Sequence, residues 1–182
     1  MQAANEYHFV SRWRVEGSRE EVAEVLGDAA GLARWWPSVY LGVRVLEPGD
    51  ALGVGKVVDL YTKGWLPYTL RWRFRVTRAD PNGFAIEAEG DFVGRGEWTF
   101  RQDGGDVDVT YDWRIRADKP LLRRLSFVMK PIFEFNHRWA MARGEESLRL
   151  ELARRHATTP EARAAVPQPP GPTWPHRARQ RA

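Results

Sequence analysis

Between residues 39 and 118 the chain alternates apolar and polar residues repeatedly, and the runs break at turn chemistry: EPGDALGVG at 47–55, DPNG at 80–83 and DGGD at 103–106. A period of two puts each residue kind on its own face of a strand. Clusters of Gly, Pro, Asn and Asp supply the backbone angles and local hydrogen bonds that turns require. The runs predict strands at 39–46, 54–63, 67–79, 84–90, 92–102 and 107–117. Upstream, Tyr7, Phe9, Trp13 and Val15 alternate with His8, Arg12 and Arg14, which predicts one more strand at 7–16. Ser18 stands three residues before Glu21, a capping-box pattern that opens a helix near VAEVLGD. A second short helix, AAGLARWW, is expected to stop at Trp36 because Pro37 disfavours a helical residue before it. Residues 120–155 carry helical spacing, with a kink expected at Pro131.

Two hairpins sharpen the prediction. With Gly104-Gly105 as a two-residue turn, Asp103 faces Asp106 and the pairs run Phe100–Val109, Trp98–Tyr111, Gly96–Trp113 and Gly94–Ile115. Apolar residues then meet apolar residues or glycine on one face. The other face pairs Arg101 with Asp108, and sets Arg95 against Arg114 and Glu97 against Asp112. Diagonal pairs, Arg95 with Asp112 and Glu97 with Arg114, are expected to offset that repulsion. At 80–83, a three-residue Pro81-Asn82-Gly83 loop with Gly83 left-handed keeps Trp72, Phe74 and Val76 on the face of Ile86 and Ala88.

Such strands give a sheet with one aromatic face (Tyr7, Phe9, Trp98, Tyr111, Trp113) and one charged face (Arg12, Arg71, Arg73, Glu87, Arg95, Glu97). The aromatic face needs a cover. Leu125, Met129, Ile132, Phe133, Asn136 and Ala140 recur at three- and four-residue steps, so one side of the C-terminal helix can supply it. Gly90, Gly94 and Gly96 lie on or beside the dry face and remove side-chain volume there, which suggests incomplete filling. Gly96 opposite Trp113 reads equally well as a large–small packing pair.

Several segments carry a family resemblance: RWRVEGSREEVAEVL, ARWWPSV, VTRADPNGFAIEAEGDFVGRGEWTF, VTYDWRI, KPLLRRL and NHRWAMARGEESL. Together, over roughly residues 7–155, they resemble the START/Bet v 1-like (SRPBCC) superfamily, in its polyketide cyclase/dehydrase and lipid transport branch. The resemblance implies an α+β helix-grip fold. In it a seven-stranded curved antiparallel sheet wraps around a long C-terminal helix, with two short helices after the first strand. It also implies binding or transport of a hydrophobic small molecule (lipid, polyketide or aromatic) in an enclosed apolar cavity. The other reading is a polyketide cyclase or aromatase using a cavity acid/base group. The family has no shared catalytic signature, so whether the chain is an enzyme stays open.

The expected ligand-binding residues are Trp13, Trp36, Trp72, Phe74, Trp98, Tyr111, Trp113, Met129, Phe133 and Asn136. Asn136 lies in the apolar stripe of the helix, where its amide needs a partner: a ligand, or a strand residue such as Tyr111 or Trp98. Tyr111 and His137 are the candidates for catalysis, His137 as an acid/base near neutral pH and Tyr111, with Tyr7 and Tyr68, as a donor to a ligand carbonyl. Trp35-Trp36-Pro37 is expected at a pocket mouth or as a lid packed on the sheet.

Composition removes other classes. The chain has no Cys, which excludes disulfides, thiolate metal sites and a Cys nucleophile. The four His are isolated, and Asp103, Asp106 and Asp108 fit the hairpin register better than a calcium loop, so no metal and no cofactor are expected. Of the net charge of +4, residues 157–182 hold +3, together with six of the twelve prolines. That Pro/Arg-rich tail is expected to be disordered and to follow a ligand-binding domain at 1–156. The rest is nearly neutral and its aromatics point inward, so no nucleic-acid partner is expected. No apolar run reaches membrane-spanning length, and MQAANEYHF lacks a signal-peptide layout, so a cytoplasmic protein is expected. Oligomeric state is not legible.

Overall fold

The computed structural model of the chain describes residues 6–117 and 120–173, without the side chains at 92, 117 and 120–129. β1 (Glu6–Glu16) leads into α1 (Arg19–Gly27), a 3₁₀ turn (Ala29–Gly31) and α2 (Leu32–Trp35). Six strands follow: β2 (Tyr40–Glu47), β3 (Val57–Lys63), β4 (Thr69–Asp80), β5 (Gly83–Gly90), β6 (Phe92–Asp103) and β7 (Asp106–Ala117). Then come α3 (Pro120–His156) and α4 (Pro160–Ala165). The seven strands form one antiparallel sheet in the order β1-β7-β6-β5-β4-β3-β2. α1 and α2 therefore carry the chain from one edge of the sheet to the other. This is the α+β helix-grip layout.

Local chemistry explains the boundaries. Ser18 Oγ accepts from the Glu21 amide, and Glu21 Oε2 accepts from the Ser18 amide at 2.8 Å, so α1 opens on a complete capping box. α2 ends at Trp35, with Trp36, the residue before Pro37, as its non-helical C-cap. The β6–β7 hairpin has the expected register throughout, from Asp103 opposite Asp106 to Gly94 opposite Ile115. On its wet side Arg14 reaches Asp103, Asp106 and Asp108 at 2.8, 3.1 and 2.9 Å, so the three carboxylates share one guanidinium. Of the two expected diagonal pairs, Glu97 does attract Arg114, and both of these residues also take other partners. Arg114 turns along its own strand to Asp112 at 2.9 Å, and Glu97 takes Arg78 of β4 at 2.9 Å.

The β4–β5 hairpin departs from expectation in form. Asp80 pairs with Gly83, so the turn has two residues, Pro81 and Asn82, not three. The extra residue sits instead in a bulge between Val76 and Arg78. That bulge restores the faces, and Phe74, Val76, Ile86 and Ala88 are all buried. Gly83 has φ +153°, and a Cβ there would lie 1.9 Å from the Trp98 carbonyl oxygen.

Two further expectations are corrected. Ile132 is 38% exposed and lies off the packed side of α3. One residue rotates a helix by about 100°, and the face toward the sheet follows Phe133, His137, Met141, Gly144, Leu148 and Leu152. The tail is not disordered where it is described. Thr159 caps α4 by accepting from the Ala162 amide at 3.1 Å, Arg154 of α3 donates to the Pro167 carbonyl at 2.8 Å, and Thr173 Oγ1 donates to the Trp65 carbonyl at 3.3 Å. A Thr cap followed by proline suits a short helix. The prolines beyond it have little backbone freedom to lose. Residues 174–182 lie outside the described residues.

The core packs the sheet against the helices. Trp35 and Trp36 are 1% and 3% exposed, and a Cβ on Gly144 would sit 2.3 Å from the Trp36 ring, so α2 packs directly on α3. Arg34 fixes the same junction with two bonds to the buried Glu151 carboxylate, at 2.8 and 2.9 Å.

Candidate functional site

Between the aromatic face of the sheet and α3 lies a cavity of about 170 Å³. β1 contributes Tyr7 and Phe9 to its wall, β4 Trp72, β6 Trp98, and β7 Tyr111 and Trp113. α3 contributes Phe133, Asn136, His137 and Met141, and Trp36 and Tyr40 close one side. Period two makes this possible, because every second residue of each strand faces α3. Trp98, Tyr111 and Trp113 stack in a row, with centroids 4.1 and 5.5 Å apart, and Trp72 continues the row 5.8 Å from Trp113.

The structure brings most of the expected residues to this wall and leaves out two. Trp13 is buried behind it, against Trp36 and Trp98 at 5.6 and 5.2 Å. Phe74 lies farther along the sheet, in a separate groove with Ala29, Phe84 and Phe100. Alternation reports a residue's face but not its position along the strand, which is why both were expected at the site. The Met129 side chain lies outside the described residues. The glycines do not open the cavity. A Cβ on Gly96 would meet Tyr111 Oη at 2.7 Å and the Trp113 ring at 2.8 Å, and one on Gly94 would meet Ile115. These glycines let the rings lie flat, so the large–small packing reading holds.

Sequence reasoning put Phe9 on the aromatic face without expecting it at the site, and did not single out Tyr40, Thr62, Lys63 or Asp91; all five line the cavity. Tyr40 begins β2 and Thr62 lies one residue from the end of β3, strands that read as ordinary sheet. Only the closing of α2 over β2 would have flagged them.

The polar groups of the wall divide into engaged and unengaged. Trp72 Nε1 donates to Thr62 Oγ1 at 3.0 Å. Asn136 Oδ1 accepts from the Leu66 amide at 3.1 Å, so it holds the β3–β4 loop in place of Tyr111 or Trp98. His137 Nε2 lies 3.2 Å from Ser11 Oγ, and its ring stacks on Phe9 at 4.3 Å. Burial lowers the His137 pKa to about 4, which corrects the expectation of an acid/base near neutral pH. Burial also lowers Lys63. Tyr7 Oη and Trp36 Nε1 are buried without a hydrogen-bond partner among the described residues.

Four phenols line the cavity, and burial raises all of them. Tyr68 is pushed up to about 12 by burial and then by Tyr7, Tyr111 is raised by burial and then by Tyr40, and Tyr7 and Tyr40 are raised by burial alone. At neutral pH they are neutral donors. Among the described residues no cluster of three metal-ligating side chains occurs. The arrangement can therefore enclose an apolar molecule and offer phenol and indole donors to its oxygen atoms.

No protein-family model and no curated protein matches the chain. Solved structures do match. The Zhui aromatase/cyclase from a Streptomyces species superposes with a TM-score of 0.66 at 20% identity, over 84% of this chain and 97% of that one. This chain has a START/Bet v 1-like fold. Norcoclaurine synthase from Thalictrum flavum, in complex with dopamine and hydroxybenzaldehyde, gives 0.57 at 13% identity, over 85% and 90% of the two chains. A START superfamily protein from Mycobacterium smegmatis gives 0.55 at 12% identity, over 74% and 98%. Across these START/Bet v 1-like structures the likeness extends along nearly the whole of each partner. Among the described residues no helix is long and apolar enough to cross a membrane.

Proposed function

We propose that the chain binds and carries a hydrophobic small molecule in the cavity between its sheet and α3. The observation that carries this reading is the cavity itself: about 170 Å³ walled by stacked aromatic rings, with the buried donors Tyr7 Oη and Trp36 Nε1 beside it that find no partner among the described residues. A buried donor left unpaired costs about 1–3 kcal/mol, and a bound acceptor would recover that. Burying about 300 Å² of apolar ligand surface would contribute roughly 7.5 kcal/mol before association costs, which suits a carrier that must also release its cargo. Native mass spectrometry of freshly purified protein tests the reading. The expected result is a ligand mass that leaves on denaturation; bare protein that also takes up no apolar probe would end it.

A second reading, a cyclase or aromatase, draws on the same phenols, which could stabilise an enolate oxygen during ring closure. His137 is a weak base at a pKa of about 4, so such an enzyme would act by positioning and hydrogen bonding. Replacing Tyr111 by Phe separates the two. An enzyme would lose turnover while still binding ligand, and a carrier would show no turnover to lose.

A further inference from the structure

Part of α3 is apolar on two opposite sides. Phe133, His137 and Met141 turn toward the sheet and line the cavity. Ile132, Phe135 and Trp139 recur at three- and four-residue steps and share the other side. Ile132 is 38% exposed and Phe135 43%. Trp65, 39% exposed, meets Phe135 edge-on at 5.3 Å, so the β3–β4 loop extends the same patch. That loop is fixed in place. Asn136 Oδ1 accepts from the Leu66 amide at 3.1 Å, and the Trp65 carbonyl accepts from Thr173 at 3.3 Å. A helix apolar on both sides is normally covered on both; here the sheet covers one and the other meets water.

Charge indicates what the cover is. Exposed Lys130 and Arg138 run beside the patch, with the half-buried Glu134 between them. On the far side the Arg143 guanidinium lies 5.8 Å from the Trp139 ring and bonds Glu146 at 2.7 Å. From Thr173, held at the Trp65 carbonyl, the chain continues as WPHRARQRA, which adds a tryptophan and three arginines and no acidic residue. Patch and tethered segment thus share a positive sign. Like charges oppose one another, which disfavours that segment, or a second copy of the same face, as the cover. The area is also small for a dimer. Side chains of this kind present about 150–250 Å² each, and two-fifths of three of them falls well short of the roughly 800 Å² a partner contributes to a stable interface. A few aromatic and aliphatic side chains edged by basic ones suit the headgroup region of a bilayer, where indoles settle and anionic lipids attract Lys and Arg.

We infer that the face formed by Trp65, Ile132 and Phe135 docks on an anionic lipid surface, with Arg177, Arg179 and Arg181 against the lipid charges. Gly64 and Tyr68, on either side of the loop, and Asn136, next to Phe135, line the cavity, so a docked face sets the cavity beside the bilayer. Docking needs no guest, so this inference goes beyond the carrier reading and stands or falls apart from it.

Sedimentation of the full chain with two kinds of vesicle tests it: phosphatidylcholine alone, and phosphatidylcholine mixed with phosphatidylglycerol. Partition onto the mixed vesicles is expected to be stronger by about tenfold or more and to weaken at high salt. Trp65→Ser and Phe135→Ser should each cost about tenfold, and removal of residues 174–182 about fivefold or more. Leu52→Ser, at the other end of β3 and 70% exposed, should change nothing. A melting curve confirms that each variant folds; if one does not, the lipid and salt dependence of the parent chain still decides. Equal partition onto both vesicles, or onto neither, overturns the inference. So does a loss with Leu52→Ser as large as that with Phe135→Ser, which would mark general stickiness. Stronger vesicle binding without residues 174–182 would make that segment the cover, and lipid-free self-association abolished by Phe135→Ser would make it a second copy; either overturns the docking. The carrier reading is tested separately, by a co-purified guest. A protein that takes up no guest yet sediments with the mixed vesicles ends only that reading.

Discussion

Gly96 shows how much a single missing side chain arranges. Tyr111 Oη and the Trp113 ring occupy the space its Cβ would take, at 2.7 and 2.8 Å, so the stacked row of rings depends on it. Gly96→Ala should cost about 1–3 kcal/mol from overpacking and should weaken the near-ultraviolet dichroism of the aromatic row, both readable in a denaturant titration. His137 makes a pH-dependent contribution of definite sign. The unfolded chain takes up its proton near pH 6.5, while the folded chain resists until about 4. Between those values the unfolded state binds more protons, so stability rises with pH and falls on acidification. On the order of 1–3 kcal/mol should be lost from neutral pH to about pH 4 through this residue. His137→Phe should flatten that part of the stability profile. In the sequence His137 was legible as a residue beside the packed stripe; its depressed pKa was not, because it comes from burial, and part of what covers the ring, such as Phe9 stacked on it, lies more than a hundred positions away.

At the scale of the elements, the legible features were those with local causes. The capping box of α1, the stop before Pro37 and the Gly104-Gly105 turn each involve neighbouring residues, and each was readable. The β4–β5 hairpin was read with the correct faces and the wrong turn, because a three-residue loop and a two-residue turn with a bulge give the same alternation. Junctions between elements carry no such local mark. Arg34 on α2 grips Glu151 on α3, a carboxylate that is 4% exposed and also touched by Arg154 and Arg155. Burial raises the Glu151 carboxyl, but Arg34 and Arg155 outweigh it and hold it below the usual range. Arg34→Ala should therefore destabilise the chain by about 1–3 kcal/mol, less than a lone buried pair would lose because two arginines remain. Urea unfolding of the variant against the parent measures it.

For the whole molecule, the sequence indicated a two-faced sheet, a helix to cover it and two of its hairpin pairings, and hence which rings turn inward. It could not say where along each strand the packing would leave room, so Trp13 and Phe74 were expected at a cavity that does not include them. Nor did composition reveal that the proline-rich segment returns to the β3–β4 loop. There Trp65, stacked edge-on with Phe135 at 5.3 Å, accepts from Thr173, while Asn136 holds Leu66 from the other side. A chain ending at His156 should still unfold cooperatively, since the core lies within residues before that point, but its 64–68 loop should exchange amide hydrogens faster. Loss of the cooperative transition would show that the C-terminal segment is part of the fold. The cavity wall has one more consequence, because Trp36, Trp72, Trp98 and Trp113 all border it. Indole emission is sensitive to the polarity around the ring and to quenching by carbonyl groups at contact distance. Were the proposed guest to enter or leave, the unlabelled chain would thus report it, and the event could be timed from its ultraviolet glow alone.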